Sequence, residues 1–259
     1  ILFKRNIQSF YQLKNLIKKI RKYTKDNKFP ILIDEEGSSV SRLNNILSHN
    51  LNANFFGKFY KKDRKTAIHL YTHYLSSLCK NLNTIGININ TIPVLDVLRK
   101  NTNKIIGKRS FSEKKEIVKV LGEITVKVCH AHKILNVIKH IPGHGCSKID
   151  SHKALPKVDL NKKTLNNIDF YPFKDSSAKL AMTAHILYKK IDSTNVSTFS
   201  KKIIKEIIRK KIGFKGILMS DDISMKALKY DLVTNAKNSL QAGCNLVLYC
   251  AGKTSENFK

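Results

Sequence analysis

The stretch ILNVIKHIPGHG, residues 134–145, decides the fold of this chain. It begins as a short apolar run, becomes polar at Lys139 and His140, and ends in a turn with two glycines. An apolar stripe at helical spacing precedes it, formed by Ile117, Val120, Ile124 and Val128. An amphipathic helix followed by a buried strand is typical of a parallel sheet with crossover helices. The stretch therefore predicts one repeat of an α/β fold.

The same repeat recurs along the chain. The strand candidates are Ile1–Phe3, Ile31–Asp34, Ile87–Leu95, Leu135–His140, Leu180–Ala184, Ile217–Ser220 and Leu246–Tyr249. Further helical stripes consist of Leu13, Leu16, Ile17 and Ile20, of Ile68, Tyr71, Leu75 and Leu78, and of Ile203, Ile204, Ile207 and Ile208. No Gly-x-Gly-x-x-Gly follows a strand, so a Rossmann fold has no support. The alternation predicts a (β/α)8 barrel as a single domain over residues 1–259.

The pattern differs from a closed barrel at both ends of the chain. The seven strand candidates are one fewer than a closed barrel needs. The chain opens in a strand at Ile1 and stops soon after the strand that ends at Tyr249. We therefore expect a truncated barrel that lacks its first strand and last helix.

The composition limits the classes of partner that this chain is expected to bind. No apolar run approaches the roughly 18–20 residues that cross a bilayer, so no membrane partner is expected. The formal net charge of +29 comes from lysines spread over the whole chain, without a DNA- or RNA-binding motif, so no nucleic-acid partner is expected. The five scattered cysteines show no Cys-x-x-Cys spacing and are typical of reduced thiols in a cytoplasmic protein.

Polar residues follow five of the predicted strands, where a barrel collects its active site. The endings are Asp34-Glu35-Glu36-Gly37, Asp96, Lys139-His140 with the turn Pro142-Gly143-His144-Gly145, Thr183-Ala184-His185 and Ser220-Asp221-Asp222. One polar ending is common, since every strand must leave the core. Five endings rich in Asp, Lys and His predict a hydrogen-bonding pocket suited to a sugar.

In two segments, the residue types alone are compatible with a catalytic role. A carboxylate at a strand end, such as Asp221, can attack an anomeric carbon and form a glycosyl ester. Ser-Asp-Asp before a helix is an equally good helix cap, with Asp222 as the better capping residue. In Asp150-Ser151-His152, the acid can orient the imidazole for proton transfer, although a solvated loop explains the same spacing.

A metal-dependent barrel hydrolase is a rival from a different class, because the chain has nine histidines and the pair His130-x-His132. Such a pair should lie at a strand end, with further ligands on later strands. Here it falls at the end of a helical stripe. We expect no metal and no other cofactor.

Six segments together resemble the family-three glycoside hydrolases, in particular the bacterial β-N-acetylhexosaminidases of the NagZ type. They are IDEEGSSVSRL (Ile33–Leu43), PVLDV (Pro93–Val97), IGKRSF (Ile106–Phe111), KHIPGHG (Lys139–Gly145) with DSH (Asp150–His152), MTAHI (Met182–Ile186) and GFKGILMSDDISM (Gly213–Met225). They follow the family's order across nearly the entire chain. The stretch from KHIPGHG to DSH is highly specific, because that loop distinguishes the N-acetylglucosaminidases within the family.

The resemblance implies a role for each matching position. Asp221 matches the nucleophile, His152 the general acid/base and Asp150 its partner. The residues that match binders of the terminal N-acetylglucosamine are Asp34, Arg42, Arg109, Lys139 and His140. The implied activity is that of a retaining, metal-independent β-N-acetylglucosaminidase. Bacterial cytoplasmic members act on N-acetylglucosaminyl-anhydromuramoyl fragments in cell-wall recycling, so we expect a muropeptide substrate and a monomeric enzyme.

The chain departs from the family pattern in two places. Gly37-Ser38-Ser39 stands where the family usually has Gly-Gly-Arg, so the loop after Asp34 is expected to differ in shape and to lose one basic contact. Truncated ends would expose strand edges, which leaves open a non-catalytic remnant of the same family. The aglycone and the choice between water and phosphate in the second step also stay open.

Overall fold

A computed structural model describes residues 1–47, 51–100 and 106–252, and its centre is a parallel sheet. The strands are β1 (Leu32–Ile33), β2 (Ile89–Asn90), β3 (Leu135–Ile141), β4 (Lys157–Val158), β5 (Leu180–Thr183), β6 (Leu187–Tyr188), β7 (Ile217–Asp222) and β8 (Leu246–Leu248). Six of them form one sheet in the order β1-β2-β3-β5-β7-β8, and every neighbouring pair is parallel. The short strands β4 and β6 form a separate parallel pair.

The sheet extends by one more parallel position beyond β1, and its two ends approach each other. Leu2 forms a parallel bridge with Ile33, so all seven predicted strands take part in parallel pairing. At the other end of the sheet, the Arg5 guanidinium donates a hydrogen bond of 3.0 Å to the carbonyl of Cys250, just after β8. This contact joins the segment after Leu2 to the segment after β8, as expected for a sheet that curls toward a barrel.

Side chains from successive strands fill the inside of the curled sheet. The buried cluster consists of Leu32, Ile89, Val137, Leu180, Met182 and Met219, with Leu248 packed against it. Each of the six sheet strands contributes at least one member. Layers of branched and apolar side chains from neighbouring strands are the usual filling of a (β/α)8 barrel. The predicted fold class is therefore confirmed.

Helices cover the outside of the sheet. They are α1 (Phe10–Thr24), α2 (Ala53–Lys62), α3 (Arg64–Ile85), α4 (Lys115–Ala131), α5 (Lys162–Asn167), a π-helix (Ile203–Lys211) and α6 (Leu232–Ala242). The four predicted apolar stripes lie on α1, α3, α4 and the π-helix, and most of their members are buried. None of the helices in the described part of the chain is long and apolar enough to cross a membrane. All five cysteines are free thiols.

The sequence did not predict α2, although this helix positions part of the site. Its apolar residues are mostly aromatic, with only average helix propensity, and Gly57 in its middle argues against a helix. A Cβ at Gly57 would lie 1.7 Å from the carbonyl oxygen of Phe111. The glycine thus lets α2 pack directly against the backbone that follows Arg109.

A tight hairpin follows β1 and contains the departure from the family pattern. The backbone N–H of Glu36 donates to the carbonyl of Val40 at 2.9 Å, and Gly37 pairs antiparallel with Val40. Ser38 has φ of 53°, in the left-handed region that favours glycine. The family pattern has glycine at this position, so serine at position 38 strains the backbone of the turn.

We predict that Ser38→Gly stabilises the protein by about 0.5–1 kcal/mol, because glycine adopts the left-handed region without the Cβ penalty. Urea denaturation at neutral pH measures the change. Ser39→Gly is the matched control, since Ser39 lies in the same turn outside the left-handed region, and it should give no gain. Equal effects of the two changes would contradict the strain at Ser38.

Candidate active site

A cavity of about 280 Å³ opens at the carboxyl ends of the strands. Its lining consists of Phe3, Asp34, Glu36, Val40, Arg42, Arg109, Lys139, His140, His152, Met182, Asp221, Asp222, Met225, Leu248 and Cys250. All the predicted site residues except Asp150 line it, and Asp150 is hydrogen-bonded to His152. The predicted site residues are separated by up to about 190 positions in the chain. They meet at one end of the barrel because parallel strands place their carboxyl ends together.

One wall of the cavity is a cluster of alternating charges. The Lys139 ammonium is only 3% exposed and lies 3.3 Å from Asp34 and 2.5 Å from Glu36. Arg109 binds Glu36 through two guanidinium nitrogens, at 2.7 and 2.9 Å. Arg42 reaches the other oxygen of Asp34 at 3.1 Å. Two carboxylates therefore hold three cations in place, and the cluster keeps one net positive charge.

Both carboxylates of this cluster are ionised at neutral pH. Burial by itself raises the pKa of Asp34, but Lys139 and Arg42 outweigh it and hold that pKa well below its usual range. Burial likewise raises the pKa of Glu36, and the neighbouring Arg109 and Lys139 overcome it and lower the pKa to about 2. Ionised oxygens at fixed positions are strong acceptors for sugar hydroxyl groups.

Sequence reasoning assigned no role to Glu36, which the structure places at the centre of this cluster. The signal was present in the run Asp34-Glu35-Glu36 at a strand end. The hairpin turns Glu35 away from the cavity, where its carboxylate accepts the backbone N–H groups of Arg42 and Leu43 at 2.8 Å each. Which acid faces the cavity depends on the hairpin, and no spacing rule predicts it.

A fully buried carboxylate, Asp96, organises the histidines that follow β3. Its Oδ2 accepts the Nδ1–H of His140 at 2.7 Å, and its Oδ1 accepts the backbone N–H of His144 at 2.5 Å. Burial raises the pKa of Asp96, but His140 and His144 outweigh it and leave the pKa lowered. The bond at Nδ1 orients the His140 ring and leaves Nε2 for a ligand.

Asp221 lies near the end of β7 with its carboxylate held by its own backbone. The N–H of Asp222 donates to Asp221 Oδ1 at 2.8 Å. Burial raises the pKa of Asp221, but His185, His140 and the Asp222 N–H outweigh it, so the pKa is lowered. His185 is itself hydrogen-bonded to Thr198 and to the carbonyl of Asp222, and it braces this strand end. An ionised carboxylate facing the cavity has the charge a nucleophile requires.

The structure excludes the alternative interpretation of Ser220-Asp221-Asp222, in which Asp222 caps the following helix. Its carboxylate accepts the backbone N–H of Ser224 at 3.0 Å and that of Cys250 at 3.1 Å. The next helix, α6, begins only at Leu232, and its N-cap is Asp231. Asp222 therefore fixes the turn after β7 to the strand end at β8, and neither acid of the pair serves as a helix cap.

Asp150 and His152 form a hydrogen-bonded pair at the rim of the cavity. His152 Nδ1 lies 2.9 Å from Asp150 Oδ1, and the same oxygen accepts the His152 backbone N–H. Burial raises the pKa of Asp150, but the bonds from His152 outweigh it and lower the pKa. The His152 side chain is 62% exposed, whereas that of Asp150 is 14% exposed. The acid is thus ionised and orients a ring that solvent and substrate can reach.

The histidine pair of the metal hypothesis lies away from this face. His130 is in the last turn of α4, and His132 is the C-cap of that helix. The helix leads into β3, so its end lies at the opposite side of the sheet from the cavity. Within residues 1–47, 51–100 and 106–252, no three His, Cys, Asp or Glu side chains are grouped so that they could hold a metal ion.

A parallel α/β barrel with charged side chains at the carboxyl ends of its strands is a frequent framework of hydrolases. Residues 1–259 match the N-terminal domain of glycosyl hydrolase family 3. The chain belongs to this family, as its motifs predicted.

Curated relatives and solved structures agree with this assignment. The chain is 32% identical over 96% of its length to β-hexosaminidase A of Pseudoalteromonas piscicida, of which it spans 45%. It is 33% identical over 96% of its length to the β-hexosaminidase of Neisseria meningitidis, of which it spans 70%. The crystal structure of NagZ from Neisseria gonorrhoeae in complex with N-trifluoroacetyl-D-glucosamine superposes with a TM-score of 0.87 and 32% identity, covering 96% of this chain and 73% of that chain.

We predict that Glu36→Gln destabilises the protein by about 3–5 kcal/mol at pH 7, because it leaves Arg109 and Lys139 buried without their shared anion. The folded pKa of Glu36, about 2, lies below the ordinary value of 4.5. Its stabilising contribution is therefore complete above pH 4.5 and is lost as pH falls toward 2. The difference between the two proteins should shrink by about 1 kcal/mol at pH 4.

Urea denaturation of both proteins at pH 7 and pH 4 measures this difference. The control is Glu123→Gln, which removes an exposed acid that pairs with Lys119 on α4 and should change stability by less than about 0.5 kcal/mol. A Glu36→Gln protein as stable as the control would show that the charge cluster contributes nothing to folding.

Proposed function

We propose that this chain hydrolyses terminal, non-reducing β-linked N-acetylglucosamine with retention of configuration. One observation carries the proposal: an ionised carboxylate at a strand end, Asp221, and a histidine oriented by an acid, His152 with Asp150, belong to the same cavity. The relatives are β-hexosaminidases by name, which supports the substrate class.

In the first step, Asp221 attacks the anomeric carbon and forms a glycosyl ester, while His152 donates a proton to the departing oxygen. In the second step, neutral His152 takes a proton from water, which attacks the ester and releases the sugar. Asp150 holds the ring through Nδ1 and stabilises its protonated form, which is present before the first step and is restored by the second, as the acid stabilises the imidazolium in a Ser-His-Asp triad.

A histidine suits this cavity for an electrostatic reason. Retaining glycosidases usually use a second carboxylic acid for proton transfer. The lining already contains four acids, which are Asp34, Glu36, Asp221 and Asp222. Histidine donates a proton as the imidazolium and accepts one as the neutral ring, so neither form places a further negative charge near the nucleophile and the leaving group.

The charge cluster is the binding site for the terminal sugar in this proposal. Asp34 accepts hydrogen bonds from sugar hydroxyl groups, and Lys139 and His140 donate to the ring substituents. Arg42 and Arg109 reach hydroxyl groups or a carboxylate on the neighbouring sugar. The pairing of these cations with buried carboxylates preorganises them, so little rearrangement is needed when the substrate binds.

We further propose that the natural substrate is an N-acetylglucosaminyl-anhydromuramoyl peptide, taken up in the cytoplasm during peptidoglycan recycling. Such a fragment carries carboxylates, and the net charge of +29 attracts anions to the whole surface. The intact constellation of Asp221, Asp150 and His152 argues against a non-catalytic remnant of the family.

We predict that Asp221→Asn reduces release of nitrophenol from 4-nitrophenyl β-N-acetylglucosaminide by about 10³-fold or more, because the amide cannot form the glycosyl ester. His152→Ala should reduce turnover by about 10²–10⁴-fold. It should also show a rapid first turnover, since nitrophenolate leaves without an acid and the glycosyl ester then accumulates. Stopped-flow absorbance measures both phases.

The matched control is Asp231→Asn, which removes a carboxylate from the same region outside the cavity and should keep the activity. Circular dichroism checks that each variant is folded. A folded wild-type chain without Asp221-dependent hydrolysis would reject the enzymatic proposal and favour the remnant.

A comparison of substrates tests the proposed aglycone. We predict that kcat/KM for an N-acetylglucosaminyl-anhydromuramoyl tripeptide exceeds that for chitobiose by about tenfold or more at low salt, and that the difference narrows in high salt as the charges are screened. Product analysis in phosphate buffer distinguishes free N-acetylglucosamine from its 1-phosphate. Equal values for the two substrates at every salt concentration would exclude recognition of the acidic aglycone.

A further inference from the structure

Ser151 is buried in a loop whose neighbouring residues are exposed. It lies between Asp150 and His152 and is 5% exposed, whereas His152, Lys153 and Ala154 are all exposed. A small polar side chain at the centre of a charged, solvated loop has no packing reason to be buried. Its contacts with two other segments of the barrel explain its position.

The first contact joins the Ser151 hydroxyl to the turn that follows β3. Ser151 Oγ lies 3.3 Å from Nε2 of His144, a buried residue. The backbone N–H of His144 is held by the buried carboxylate of Asp96. A Cβ at Gly145, the next residue, would lie 1.9 Å from the carbonyl of Val97, so this turn is packed tightly against the segment after β2. His144 is therefore a rigid anchor.

The second contact joins the backbone of Ser151 to the loop that follows β7. The carbonyl of Ser151 accepts the backbone N–H of Ala227 at 3.1 Å. Leu155, four residues further on, packs against a buried cluster of Val196, Ile223 and Leu228, and the last two of these lie in the same loop as Ala227. Because this loop begins directly after Asp221 and Asp222, the contact ties the proton-transfer pair to the strand end that carries the nucleophile.

Hydrogen bonds join the loop around Ser151 to the catalytic pair. Asp150 accepts the backbone N–H groups of Lys153 and Ala154 at its carbonyl and that of His152 at its carboxylate. These bonds form a compact turn from residue 150 to residue 154. A displacement of Ser151 therefore displaces both the Asp150 carboxylate and the His152 ring.

The environment of His144 suits an uncharged hydrogen-bonding partner. Burial and the nearby His140 together lower the pKa of His144 to about 4, against the opposing effect of Asp96 and Asp221. The ring is thus neutral at physiological pH. Its Nδ1 has no hydrogen-bond partner among the described residues, so Ser151 is the polar contact of this side chain.

We propose that Ser151 is a positioning residue that holds the Asp150–His152 pair at the cavity by binding His144 through its hydroxyl and Ala227 through its carbonyl. The proposal rests on the proposed function, in which His152 transfers protons. Ser151 itself touches neither the nucleophile nor the substrate. Its effect on the reaction passes entirely through His152, and this property makes the proposal testable.

The decisive experiment is a double-mutant cycle between Ser151→Ala and His152→Ala, with 4-nitrophenyl β-N-acetylglucosaminide as substrate. Ser151→Ala alone should lower kcat by about 10- to 100-fold with little change in KM, because misplacing a reacting group by about 1 Å has an effect of this size. In the His152→Ala background, the same change should lower kcat by less than about twofold. Equal losses in both backgrounds would overturn the proposal.

Variants at the anchor provide a second readout. His144→Gln keeps a side-chain amide, which can donate or accept a hydrogen bond near the position of Nε2, and should retain most of the activity. His144→Leu fills the space without a hydrogen-bonding group and should match Ser151→Ala. The control is Ser239→Ala, which removes a buried hydroxyl that binds the carbonyl of Asn235 on α6 and should leave kcat unchanged. Equal activities of the Gln and Leu variants would contradict a hydrogen-bonded anchor.

Hydrogen exchange tests the loop contact without any activity. The Ala227 amide donates to Ser151, so its exchange rate reports directly on whether the loop is held. Ser151→Ala and His144→Leu should raise that rate by about tenfold or more, whereas His144→Gln and Ser239→Ala should not. An unchanged rate in Ser151→Ala would overturn the proposal even in an active enzyme. A raised rate in a chain without Asp221-dependent hydrolysis would support the loop contact and reject only the proposed function.

Discussion

The buried ammonium of Lys139 is the constraint on which the arrangement of the site depends. At 3% exposure it cannot be solvated, so the fold must supply anions around it. The hairpin after β1 supplies Asp34 and Glu36, and these two acids in turn fix Arg42 and Arg109. One buried charge in β3 thus determines the positions of four side chains, of which three lie within residues 34–42 and the fourth is Arg109.

A second buried charge, Asp96, connects a residue that lines the cavity to the anchor of the loop that contains Asp150 and His152. It holds the His140 ring that faces the cavity and the backbone of His144, which contacts Ser151. The Asp96 carboxylate therefore connects the segment after β2 to the residues at the end of β3. Through His144 and Ser151, these segments are also connected to the loop with Asp150 and His152 and to the loop after β7. Buried hydrogen bonds of this kind rigidify a site, since the Asp96 carboxylate would be costly to bury without its partners.

The sequence was most informative about the sheet. Every predicted strand takes part in parallel pairing, because β-branched runs between amphipathic stripes report burial on both faces directly. The strand predicted over Ile87–Leu95 was too long: regular pairing covers only Ile89–Asn90, with a further bridge at Val94. Pro93 lacks the N–H that a continuous strand needs. The helix α2 was missed because its aromatic residues and Gly57 resemble a loop until the packing against Phe111 is known.

The sequence by itself determined the order of strands and helices, the strand ends that carry polar residues, and the candidate residues of the site. Those features depend on local periodicity and on the rule that parallel strands collect their carboxyl ends on one face. Only the tertiary structure decided that Glu36 faces the cavity while Glu35 turns away, and that Ser151 is buried beside His144. Side-chain directions in loops follow from hydrogen bonds between distant segments, such as the bond from Ala227 to Ser151, and no spacing within one segment encodes them.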